Sequence, residues 1–190
     1  MISPEDQREL LALARRALEA RIRRQPPPTV ERGGALEWQR GAFVTIHFRG
    51  DLRGCLGHIE TEAPLADTIA YLAASVSDSD PRFDPVSVLE LDEIDMEISV
   101  LTREREIHAI AEIEVGRHGL IVEHGARRGL LLPQVATEHG WDAQTFASHT
   151  CIKAALPADA WRHGARMLVF EAQVFGDSSQ ISGSRIQTSG

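Results

Sequence analysis

The sequence predicts an α+β fold: two similar modules, each with strands around a helix, preceded by an N-terminal helix. Three observations carry this. Apolar residues alternate in segments such as 43–48, 94–100 and 168–174, the period of half-buried strands. They recur at helical spacing over 10–22 and 65–76. Turns separate the strands as often as helices do, which favours mostly antiparallel pairing with packed helices over a doubly wound parallel sheet.

Ser3-Pro4-Glu5-Asp6 opens the first helix with a hydroxyl cap, a proline at the first position and acids in the first turn. Leu10, Leu11, Ala14, Leu18 and Ile22 mark its apolar stripe, and Arg15, Arg16, Arg21, Arg23 and Arg24 read as a solvated face. Pro26-Pro27-Pro28 ends it. Val44, Ile46 and Phe48 alternate in a strand, Gly50-Asp51 predicts a two-residue hairpin loop, and a return strand follows. Glu62-Ala63-Pro64 starts a second helix whose Leu65, Ile69, Leu72 and Val76 form one face. The segment 77–85 is turn-rich, and its Asp78, Asp80 and Asp84 read as turn formers. Ile94, Met96, Ile98 and Val100 alternate in another strand.

The charged, weakly patterned stretch 102–114 marks the break between the halves. Strands over 120–123 and 129–132 flank the turn His124-Gly125-Ala126-Arg127. A short helix over 134–139 precedes one capped by Asp142 that runs to about Lys153 and carries Cys151 as a packing residue. Leu168, Phe170, Ala172 and Val174 form one final strand. The domain spans 1–176, and 177–190, rich in Ser, Gly and Gln, reads as a disordered tail.

The whole chain narrows the function classes. Its 190 residues are 43% hydrophobic and 25% charged, enough for a real core. A net charge of −8 argues against a nucleic-acid surface. The N-terminus lacks a signal-peptide pattern, and no apolar run approaches the ~18 residues of a membrane span. Two cysteines are too few for a disulfide framework. The expectation is a cytoplasmic protein.

Chemistry concentrates in Leu52-Arg53-Gly54-Cys55-Leu56-Gly57. On a regular strand Arg53, Cys55 and Gly57 share one face, placing a guanidinium beside a thiol, and a nearby cation lowers a thiol pKa. Gly54 and Gly57 then leave backbone amides open to a ligand. The plainer reading makes the glycines a bulge and Cys55 a small core residue. A zinc site at Cys55, His58 and Glu60 lacks the second ligand pair, so no metal is assigned. A Cys–His pair finds bases in His47, His58 or His118, of which His118, between turn glycines, is best placed. No phosphate loop or iron–sulfur spacing is present, and no cofactor is assigned.

Five motifs occur in order: residues 52–57, Asp80-Pro81-Arg82-Phe83, Gly116-Arg117-His118-Gly119-Leu120, Gly129-Leu130-Leu131-Leu132-Pro133-Gln134-Val135-Ala136 and Gly140-Trp141-Asp142. Together the chain resembles the AMMECR domain family, whose bacterial form is protein A of the AmmeMemoRadiSam system. The resemblance covers about residues 5–176. It implies duplicated strand–helix–strand–strand units, with both chain ends sharing the larger of two lobes. It also implies a Memo-type protein and a radical SAM enzyme as partners. The family's Arg-Gly-Cys-hydrophobic-Gly motif matches at Arg53, Gly54, Cys55, Leu56 and Gly57, whereas His58 stands where a threonine is common. Two readings follow. One is an accessory component that binds a partner or small ligand around residues 53–57, with Gly54, Gly57, His58 and Arg82 as ligand-binding positions. The other is a small-molecule enzyme with Cys55 as nucleophile or acid/base, Arg53 as anion clamp and His118 as a further catalytic group.

Overall fold

The computed structural model describes residues 1–177. The chain divides into two compact units. The first comprises Met1–Leu101 and the returning strand Ala172–Gly176, and the second is Thr102–Glu171. The larger unit is thus built from segments on both sides of the second in sequence. Two strands, a helix and a further strand follow one another in each unit, with two helices in the second, and every pairing between strands of the described residues is antiparallel.

Helix α1 (Pro4–Ile22) begins as its capping residues dictate, the Ser3 hydroxyl accepting from the Asp6 N–H at 3.1 Å. Its inward face is Leu10, Leu13, Ala14, Ala17 and Leu18, rotated slightly from the predicted stripe, so that Leu11 and Ile22 are only partly buried. Strands β1 (Ala42–Phe48), β2 (Asp51–His58) and β3 (Ile94–Leu101) join β8 (Ala172–Gly176) in a sheet of order β2-β1-β3-β8. Val44, Ile46, Ile98 and Val100 face α1 and α2 (Leu65–Ser75) in the first core. In the second unit β4 (Arg105–Ile107), β5 (Gly119–His124), β6 (Arg127–Leu131) and β7 (Arg166–Phe170) form the order β4-β7-β5-β6. Helix α4 (Ala143–Lys153) packs Phe146, Ala147 and Cys151 into this core, while α3 (Pro133–Glu138) contributes Ala136.

Four expectations change. The β1–β2 turn is Arg49-Gly50, one residue earlier than predicted, with φ of 53° and 90°. Positive φ at both positions matches the right-handed strand twist, and Arg49 is held there by two bonds to Glu93 at 2.6 and 2.7 Å. The predicted final strand is two. Glu171 interrupts it, bonded through its N–H and C=O to Thr102, so β7 and β8 join different sheets. The alternation also changes phase there, because Phe175 is buried and Val174 is 41% exposed. A short strand, β4, lies in the stretch read as a break. Finally, Gly176 ends β8, and the Asp177 carboxylate accepts from Arg15 at 2.5 Å and from the Met96 N–H at 3.2 Å. The tail expectation for 178–190 lies outside the described residues.

Candidate functional site around Cys55

Strand β2 is an edge strand, and its register to β1 slips between Ile46 and His47: Ile46 faces Gly54, His47 faces Leu52, and Arg53 is the extra residue. A bulge re-aims a side chain and sharpens the local twist. Cys55 stands opposite Thr45, which stands opposite Glu97 on β3, so the three form one row across the sheet. The Thr45 hydroxyl donates to Cys55 Sγ at 3.3 Å.

The segment 77–87 closes the exposed edge of β2 through side chains. Asp80, 5% exposed, accepts from the Cys55 N–H at 2.9 Å and the Arg82 N–H at 3.1 Å. It also accepts from Arg82 Nε at 3.0 Å and Nη2 at 2.8 Å. The Arg82 guanidinium, with the two backbone donors, holds the Asp80 carboxyl at about 2 against the opposing effect of burial. An edge N–H that would otherwise be left open is thereby satisfied.

Arg53 does not lie as Cys55's cation. Its Nε donates to Glu90 at 2.7 Å, Nη1 to the Asp84 carbonyl at 2.9 Å and Nη2 to the Pro85 carbonyl at 3.4 Å. The bulge is the reason: it takes Arg53 out of the simple alternation that the sequence reading assumed. Burial works against a charged Glu90, yet Arg53 and the Ser87 residue hold its carboxyl below the usual range. The cation acting on the thiol is Arg82. Burial nonetheless pushes the Cys55 thiol up, outweighing both the Thr45 hydrogen bond and the Arg82 charge. Glu97 is likewise pushed up by burial, with His47 pulling the other way.

The glycines serve packing. A Cβ on Gly57 would sit 2.1 Å from the Phe43 ring, and one on Gly54 would meet Val76 and Ile46 at 3.0–3.3 Å. On the side a Cβ would take, the space at these two positions is filled by protein. His58 is exposed at the end of β2 and stacks on Tyr71 at 5.9 Å. His118 is 4% exposed, its Nδ1 accepting from the Glu114 N–H at 3.1 Å and its Nε2 lying 3.8 Å from Glu171. It belongs to the second unit and Cys55 to the first. It is therefore a buried turn residue bonded within its own unit, where the sequence offered a base for Cys55 or a solvated turn residue. Among the described residues no group of three or more His, Cys, Asp and Glu is placed to hold a metal ion.

Asp80 and Glu97 are the residues that sequence reasoning passed over. Asp80 precedes a proline in a turn-rich segment, the pattern of a turn former. Glu97 alternates outward on a half-exposed strand, and nothing in its spacing marks it as desolvated.

Fold and site define an α+β protein of two antiparallel-sheet units, with one thiol-bearing face whose edge is closed by an Asp-Pro-Arg-Phe segment. The AMMECR1 family profile matches residues 11–175, and the chain belongs to that family. A protein of Methanothermobacter thermautotrophicus is 44% identical over 186 residues, covering 92% of this chain and 95% of the relative. One of Thermofilum pendens is 41% identical over 200 residues, covering 94% and 92%. The crystal structure of an uncharacterized protein from Pyrococcus horikoshii superposes with a TM-score of 0.73 at 36% identity, covering 93% of each chain.

Proposed function

We propose that this AMMECR1-family protein is an accessory component that works in the cytoplasm with a Memo-type protein and a radical SAM enzyme. It engages a partner or a small ligand at the face around Cys55. The observation that supports this is the state of the thiol: burial raises Cys55, and Arg53 is committed to Glu90 and two carbonyls. A resting nucleophile needs the thiolate, which this environment disfavours. The enzyme reading, with Cys55 as nucleophile or acid/base and Arg53 as anion clamp, requires Arg53 to leave that network. Arg82 remains on the surface with its side chain 53% exposed, a charged contact for an incoming molecule.

Co-expression of the tagged chain with the Memo-type protein and the radical SAM enzyme tests the proposal. Capture of either partner, lost in Arg82→Glu, is the expected result. No complex at any concentration tested contradicts the accessory role, and capture indifferent to Arg82→Glu places the contact elsewhere.

A further inference from the structure

Two arginines approach the β2 edge from two different motifs, and the structure separates their tasks. Arg53 donates from Nε, Nη1 and Nη2 to acceptors of its own unit. Its side chain is 17% exposed. It latches the segment 77–87 and has little left to offer a ligand. Arg82 is built differently. Only Nε and Nη2 are engaged, both by Asp80, and Nη1 has no hydrogen-bond acceptor among the described residues. The guanidinium lies over the Phe83 ring at 5.4 Å. Its carboxylate partner is 3% exposed while Arg82 itself is 53% exposed. A guanidinium fixed along one edge by a buried carboxylate presents its remaining donors in a set direction, at little entropic cost on binding. The same Asp80 carboxylate accepts from the Cys55 N–H, so a single side chain ties the guanidinium and the thiol-bearing strand together.

We infer that Arg82 is an oxoanion-binding residue beside Cys55, receiving a ligand carboxylate or phosphate group on the guanidinium edge that Asp80 leaves free, and that Asp80 is its positioning residue. The inference rests on the reading of the Cys55 face as a binding site and adds the ligand chemistry. Asp80 touches no ligand. It fixes where the cation sits relative to the sulfur.

The test compares two alkylating reagents on Cys55 in the full chain, with labelling at Cys55 distinguished from Cys151 by peptide mass. Iodoacetate carries a carboxylate and iodoacetamide does not. Both react by attack of the same thiolate on carbon with loss of iodide, so their rate ratio cancels the thiolate fraction and reports the local preference for an anion. The ratio, relative to that of a free cysteine peptide, is expected to be raised roughly twofold, below the roughly fivefold of one unpaired unit charge about 4 Å away in water, because the Asp80 carboxylate offsets part of the Arg82 charge. Arg82→Gln, which leaves the Asp80 carboxylate unpaired, takes it to the peptide value or below, and Arg16→Gln, the same charge change at an exposed position of α1, leaves it raised. Arg82→Lys, which keeps the charge and gives up the two-point clamp on Asp80, keeps only part of it. Added inorganic phosphate slows iodoacetate more than iodoacetamide in the wild type and not in Arg82→Gln. Equal ratios in wild type and Arg82→Gln overturn the inference, and so does phosphate protection that survives that substitution. Circular dichroism of each variant separates loss of the site from loss of the fold. The partner-capture result does not enter these ratios, so failure here leaves the accessory role standing, and the converse holds too.

Discussion

Asp80 carries more of the site than its place in the sequence announces. It makes four hydrogen bonds, to Cys55 and Arg82, and is almost fully buried. Its folded carboxyl sits at about 2, below the ordinary 3.8. A depressed carboxyl stabilises the fold above the unfolded value, and that contribution is lost as pH falls through the folded one. The shift corresponds to about 2 kcal/mol. Asp80→Asn should lose about that much stability at pH 7 by urea denaturation, with the gap to the wild type narrowing as pH drops from 4 towards 2. A gap unchanged over that window contradicts the assignment. Arg53 makes the complementary case. Its motif is legible in the sequence, but its direction depends on a bulge that alternation does not reveal. Arg53→Ala leaves Glu90 without its cation, and roughly 1–3 kcal/mol of destabilisation is expected from chemical denaturation, between the values for exposed pairs and for buried pairs broken on one side.

At the scale of elements, the sequence carries its information where periodicity and capping agree. Ser3-Pro4 starts α1, Asp142 caps α4 by accepting from the Thr145 N–H at 2.8 Å, and Ile94 to Val100 alternate inward along β3. It fails where pairing partners decide. The alternation through 168–174 is continuous in sequence, while the chain changes sheet at Glu171. The hairpin turn moves to Arg49 because Glu93 stabilises a conformation an isolated arginine disfavours. Glycine positions show the same dependence on context. A Cβ on Gly129 of β6 would meet the backbone nitrogen of Ala154 at 2.3 Å, and backbone cannot rotate aside as a side chain does. Gly129→Ala should destabilise by about 1–3 kcal/mol or more. Gly57→Ala, opposed by the Phe43 ring, should cost less if that ring turns away. Thermal denaturation of the two variants checks the order, and the reverse order contradicts this packing account.

The whole molecule is two units, the second a continuous insertion between β3 and β8 of the first unit's sheet: β8 follows the second unit in sequence and joins the first sheet. The duplication and the return of the last strand to the first unit both come from the family resemblance, because long-range pairing leaves no local pattern in the residues themselves. Each unit has its own core. Phe146, fully buried in the second, should cost about 3–5 kcal/mol as Phe146→Ala. Amide exchange should then accelerate first at Leu120, Ile121 and Val122, the central residues of that unit's sheet. Protection there equal to the wild type would show that Phe146 does not hold the second core.

A thiol that rests protonated distinguishes a binding surface from a poised nucleophile. The pH dependence of Cys55 alkylation by iodoacetamide in the native full chain measures it most directly. The rate should still be climbing beyond the ordinary thiol value of about 8.5, because burial disfavours the thiolate. A rate that levels off near neutral pH would contradict the account and restore Cys55 as an activated nucleophile.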